Sequence, residues 1–183
     1  GSSGSAESDQ SGDALPTLEP IETAPSAVSD GNGYASAQYG YSLEWGSVWE
    51  EQPEYSGVQG DGSERLVLWH TGDVIASVDL RAGGAVSPDL AVCVEDVVDQ
   101  LRGENRFEDN VVPYDAPALI PAPGAEGRTV WNFLQRDYLY TYVECRTLAN
   151  GTGTLRIVYQ VPDDTYAKVY PDVVELLQNI QTG

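Results

Sequence analysis

The chain has 183 residues, 29 of them acidic and 9 basic, for a formal charge of −20, with one histidine, one lysine and two cysteines. That balance excludes duplex nucleic acid, because releasing counterions from phosphates needs clustered Lys and Arg, and it repels an anionic membrane face. It also removes most side chains used in nucleophilic, metal-assisted or phosphate chemistry, so a catalytic site would have to be built from carboxylates and tyrosines.

Residues 1–38 hold almost no large apolar side chains and are rich in Ser, Gly, Ala, Pro, Asp and Glu. Such a segment cannot bury enough apolar surface to offset its ordering entropy and reads as a disordered tether. Its first five residues, Gly-Ser-Ser-Gly-Ser, look like a tag remnant and carry no fold information. An acidic tether ahead of a compact domain resembles either the stalk behind a bacterial signal peptide or lipid-modified cysteine, or an interdomain linker. The exported reading is the expectation taken here. No stretch approaches the roughly 18–20 apolar residues that span a bilayer. Residues 39–183 suit one domain with a real core.

Within that domain Tyr41-Ser-Leu-Glu-Trp45 alternates apolar and polar residues, the period-two pattern of a half-buried strand. Trp49 and Glu50 follow on a short turn, and residues 52–62, with three glycines, a glutamate and a proline, read as a loop or frayed strand. Arg65–Trp69 and Val74–Leu80 are strands joined by a hairpin at Thr71-Gly72-Asp73. Ser87-Pro88-Asp89 predicts a helix start, with Ser as cap, Pro in the first turn, and Asp89 and Glu95 toward the positive end of the dipole. Leu90, Val94, Val97, Val98 and Leu101 form its apolar stripe, and Gly103 supplies the stop. Phe107–Tyr114 is expected as a strand and Asp115–Gly127, with three prolines, as an exposed loop. Three strands follow at Arg128–Gln135, Tyr138–Thr147 and Thr154–Val161, the last reached through an Asn150-Gly151 turn.

In the middle one of these three strands Leu139, Thr141, Val143 and Cys145 share a face opposite Tyr138, Tyr140, Tyr142 and Glu144. A last helix starts at Thr165 or at Pro171 and runs to Ile180, burying Val173, Val174, Leu177 and Ile180. Together these elements predict an α+β domain, an antiparallel β-sheet with two amphipathic helices packed on it.

The order of a Tyr41-Ser-Leu-x-Trp45 strand, Ser47-Val48-Trp49, a hairpin, a helix, a Tyr-rich meander, Val161-Pro-Asp-Asp-Thr-Tyr166 and a terminal Val173-Val-x-Leu-Leu-x-x-Ile180 helix resembles the Mog1/PsbP-like domain. The resemblance covers about Tyr41 to Gln181. It implies an α/β/α sandwich of the kind found in exported bacterial lipoproteins and a mostly non-catalytic role, as in accessory subunits of photosystem II and nuclear-transport regulators. It transfers no functional residues.

Among candidate sites, Cys93 falls on the predicted helix and Cys145 on the middle strand, without the CxxC spacing of a zinc or thioredoxin site. They form one helix-to-sheet disulfide if that helix lies on that face, and are otherwise two buried thiols; the exported reading favours the disulfide. His70, alone, reads as a strand-end surface residue rather than a base or ligand. The pairs Glu50/Glu51, Glu95/Asp96, Glu108/Asp109 and Asp163/Asp164 are adjacent in sequence, and in a strand such neighbours point to opposite faces rather than across a cleft. Asp61-Gly-Ser-Glu64 and Asp163-Asp164 are too short to hold calcium unaided, so no cofactor or metal is expected. Asn150-Gly151-Thr152 matches a glycosylation sequon but reads as a turn. Tyr138, Tyr140 and Tyr142, with Trp69, are the candidate binding residues: exposed, they make an amphipathic patch for a protein or glycan; under a helix, they are core. The expected function is a non-enzymatic, extracytoplasmic interaction domain for a protein of the cell envelope. The alternative is a small carbohydrate-active or hydrolytic enzyme using carboxylates and surface aromatics.

Overall fold

A computed structural model describes residues 26–27 (backbone only), 32–73, 75–149 and 151–183. Most of the expected tether, with Val74 and Asn150, lies outside the described residues. The folded body begins before Tyr39, however. β1 (Ser26–Ala27), β2 (Gly33–Ala35) and β3 (Ser42–Glu44) form a small antiparallel sheet, and Tyr34 is buried in the core beside Tyr41 and Leu43. A single apolar residue in a polar run gives no periodic signal; its pairing with β3 is what buries it.

The remaining strands are β4 (Trp49–Glu51), β5 (Gly57–Val58), β6 (Glu64–His70), β7 (Ser77–Ala82), β8 (Phe107–Glu108), β9 (Glu126–Leu134), β10 (Asp137–Thr147) and β11 (Thr154–Pro162). Among the described residues they make one eight-stranded antiparallel sheet in the order β4-β6-β7-β11-β10-β9-β8, with β5 also pairing β6. Trp49 and Glu50, expected on a turn, sit in edge strand β4 opposite His70 and Trp69. The strand expected at Phe107–Tyr114 stops at Glu108, because Asn110 adopts a positive φ of 56° that ends an extended run.

Helix α1 (Leu90–Leu101) begins two residues later than Ser87 would place it. Asp89 is the cap, its carboxylate accepting the Val92 N–H at 3.1 Å. Pro88 forces the residue before it out of helical geometry, so Ser87 sits outside the helix. Asp89→Ala is therefore expected to cost about 1 kcal/mol in a denaturation midpoint, and Ser87→Ala less. Helix α2 (Tyr166–Gln178) runs unbroken through Pro171. The carbonyl deprived of its partner belongs to Ala167, which is exposed like Pro171, so water can take the missing hydrogen bond.

The helices lie on opposite faces. α1 packs Cys93, Val94, Val97, Val98 and Leu101 on Val130, Val143 and Cys145 of β9 and β10. α2 packs Val169, Val173, Leu176 and Leu177 on the other face, with Tyr142, Ile157, Tyr159 and Leu66, and the β1–β3 meander completes that layer. Cys93 and Cys145 are joined by a disulfide that ties α1 to β10. Strands spaced at about 4.8 Å make a sheet some 30 Å wide, whereas a helix is only about 10 Å across. Among the described residues there is one helix per face, which leaves part of the sheet uncovered by a helix. On the α1 face the gap lies over β6 and β7; on the α2 face it lies over β8 and β9.

Candidate functional site

The gap on the α2 face is where aromatic side chains meet solvent. β9 and β10 are joined by a two-residue turn, Gln135–Arg136, in which both residues have positive φ (50° and 77°). That geometry matches the twist of a tight hairpin and fixes its register. Phe133 then sits opposite Tyr138 and Trp131 opposite Tyr140. Trp131 and Tyr138, diagonal neighbours on one face, stack with ring centres 4.9 Å apart and planes 8° apart, and Phe133 leans on Tyr138 at 4.8 Å.

Arg106 closes this platform from the side. Its guanidinium lies 5.8 Å from the centre of the Trp131 ring and 5.9 Å from that of Tyr138, within cation–π range. The Phe133 N–H donates to the Arg106 carbonyl at 3.1 Å, which pins the residue just before β8. The Trp131 indole N–H donates to Asp163 Oδ2 at 3.1 Å and so sets the indole plane. Beside the platform, and sharing Trp131 with it, lies a groove of about 510 Å³ lined by Arg106, Glu108, Tyr114, Trp131, Tyr140 and Asp163. Tyr114, at its rim, is 94% exposed.

The four binding residues expected from the sequence do not come together. Tyr138 is 38% exposed and belongs to the platform. Tyr140 is only 4% exposed, walls the groove from below, and meets Tyr166 of α2 edge-on at 5.3 Å. Tyr142 is 1% exposed and is core, not surface. Burial, reinforced by the Glu144 carboxylate, pushes its phenol well above the ordinary range, so it stays a neutral donor to Glu144 Oε1 at 2.7 Å. Trp69 is half-buried on the opposite sheet face, next to Tyr55. A patch running through all three β10 tyrosines is thus corrected by α2, which covers two of them.

His70 is also more buried than a strand-end residue would be. Its Nδ1 accepts the Gly72 N–H at 3.1 Å, so Nε2 carries the proton and donates to Asp172 Oδ2 at 2.8 Å. Trp49 meets the ring edge-on, and the imidazole clamps β6 to α2. Sequence reasoning missed Arg106, Phe133 and Tyr114, and weighed Asp163 only as half of a carboxylate pair. One signal was available: Trp131 and Phe133 alternate on β9 as the tyrosines do on β10.

Comparisons with known proteins bear on the fold. No protein-family model and no curated protein matches the sequence. Among solved structures the chain is similar to the solution structure of cyanobacterial PsbP (CyanoP) from Synechocystis, with a TM-score of 0.51 at 11% identity over 82% of this chain and 91% of that chain. The chain has a PsbP-like fold. Weaker similarities are to LpqN, involved in cell envelope biogenesis of Mycobacterium tuberculosis (TM-score 0.44, 12% identity, 78% of this chain and 82% of that chain), and to a protein from Bacteroides thetaiotaomicron (TM-score 0.43, 12% identity), of which this chain spans 48%. The PsbP-like fold supplies the sheet and its two helices; the hairpin turn and Arg106 supply the groove.

Proposed function

We propose that this domain is a non-enzymatic, extracytoplasmic binding module that holds a protein partner of the cell envelope in the aromatic groove at β8–β9. The observation that carries the reading is the Trp131–Tyr138 stack, ordered by Arg106 and Asp163 yet open to solvent. Large aromatics held in place before binding lose little conformational entropy on contact, and such residues dominate interface energies. The two carboxylates in the groove favour holding over hydrolysis. Asp163 is engaged by the indole, and Glu108 stands exposed on the short edge strand β8. The Cys93–Cys145 disulfide supports an oxidising compartment, as the acidic tether does.

The test is capture from solubilised envelope fractions by immobilised protein. Truncating both platform rings, Trp131→Ala with Tyr138→Ala, should weaken retention of the partner about thirtyfold, the size of a hot-spot loss near 2 kcal/mol. Tyr55→Ala, on the opposite face, should leave it unchanged. Equal capture by wild type and the double variant would remove the groove from the function. Saturable quenching of Trp131 fluorescence by a soluble oligosaccharide would instead make the ligand a glycan. Turnover of that glycan, lost in Asp163→Asn or Glu108→Gln, would make the protein an enzyme.

A further inference from the structure

The half of the other face that no described helix covers carries an arrangement that an acidic chain has no packing reason to build. Register sets Arg65 of β6 opposite Arg81 of β7, and Arg81 opposite Arg156 of β11. Three of the nine basic residues therefore stand side by side in one row across three adjacent strands. Directly opposed side chains in a sheet are about 5 Å apart at Cβ, and like charges there are destabilising. The chain has 29 acidic residues with which it could have alternated signs along this row.

One of the three is neutralised. Arg65 forks onto Asp79, with Nη2 at 2.6 Å and Nε at 3.1 Å from Oδ2. Arg81 and Arg156 have no ion pair among the described residues, and the Nε of each is buried with no hydrogen-bond acceptor. Among the described residues the acids whose charges reach these two guanidinium groups, Asp61, Asp79 and Asp96, form no ion pair with them, and Asp79 is held by Arg65. Asp61 accepts from Ser63 N–H and Oγ–H and from the Ala85 N–H, and Asp96 stands exposed on α1. Burial, followed by the charge of Arg81, lowers the affinity of the Arg156 guanidinium for its proton. Next in the row is Cys145, bonded to Cys93, which brings the first turn of α1 alongside Arg156.

We propose that Arg81 and Arg156 form a binding site for a phosphate-class dianion, with Arg65 held by Asp79 as the residue that positions the row. Two half-buried guanidinium groups without an ion pair match two negative charges; a monocarboxylate would leave one of them unpaired. Their planar forks suit a tetrahedral oxyanion, offering paired N–H donors from two sides. The site is independent of the aromatic groove, which lies on the other face of the sheet.

The experiment is a titration of the full chain with inorganic phosphate in chloride buffer, followed by melting temperature and by calorimetry. A saturable upward shift is expected, at least tenfold weaker in Arg81→Gln or Arg156→Gln and unchanged in Arg128→Gln, whose partners are Glu95 and Asp109. A second readout is independent of affinity. Without phosphate, Arg156→Gln should melt higher than wild type, because it removes like-charge crowding retained for binding. A phosphomonoester such as glycerol phosphate and vesicles with and without phosphatidic acid separate the sources: binding of the soluble ester alone means a free metabolite, and binding of vesicles that requires the acidic lipid means a headgroup. No saturable effect of phosphate beyond chloride, or an equal response in the double variant Arg81→Gln/Arg156→Gln, overturns the proposal.

Discussion

Reduction of the Cys93–Cys145 bond is expected to lower the melting temperature by about 8–16 °C. The bridge spans 52 residues, and in the chain-entropy account closing such a loop stabilises the folded state by about 4 kcal/mol. In a domain of this size each kcal/mol is worth roughly 2–4 °C. The placement of the bond makes it matter more than its loop length alone. α1 touches the sheet through a small cluster, chiefly Val94, Val97, Val98 and Leu101 on Val130 and Val143, far less than the core under α2. Without the covalent tie, this helix is the element with least to hold it. Cys93 and Cys145 are almost wholly buried, so the reduced thiols remain as apolar core residues and the domain should still fold. Melting curves with and without reductant, alongside alkylation and mass measurement of the unreduced protein, check the expectation. Two alkylated thiols in native protein would contradict it.

That bond was legible from the sequence because both ends lie on periodic elements. Cys93 belongs to the apolar stripe that contains Val94 and Val97, and Cys145 to the face that contains Thr141 and Val143. The long central strands and both helices carry the same kind of signal, period two or period 3.6, over nine residues or more. The short edge strands do not: β4 and β8 have three and two residues, too few for any period, and are made by pairing with β6 and β9. The face shared by Tyr138, Tyr140 and Tyr142 was legible, but which of them α2 covers was not. That depends on where the N-terminus of α2 and Tyr166 land on β10, a contact between residues far apart in sequence. The arginine row was invisible for the same reason. Arg65, Arg81 and Arg156 become neighbours only through the registers of three strands.

Removing the charge from Arg146 is expected to be among the most damaging single changes in the protein. Glu144 is 1% exposed and Arg146 11%. One carboxylate collects three donors: the Tyr142 hydroxyl at 2.7 Å, Arg146 Nε at 2.7 Å, and the Ala122 N–H at 3.1 Å from the proline-rich loop. Arg146 in turn donates to the Leu177 carbonyl at 3.1 Å and the Ile180 carbonyl at 3.4 Å, at the negative end of the α2 dipole. Strand, loop and helix terminus thus converge on a single ion pair. Arg146→Met or Glu144→Gln leaves its partner buried without a counter-charge, a loss of about 3–5 kcal/mol, large against a total stability of about 5–15 kcal/mol. The half-exposed pair Arg65–Asp79 should show the contrast, since breaking it costs no more than about 1 kcal/mol. The double variant Glu144→Gln/Arg146→Met buries no charge and should recover much of the loss, so a double-mutant cycle in urea would show strong positive coupling. The groove of about 490 Å³ between residues 118–123 and α2 opens onto this pair. Should each single variant cost under about 1 kcal/mol, water entering that groove solvates the charges, and the apolar contacts of Leu176 and Leu177, rather than Arg146, hold the end of α2 in place.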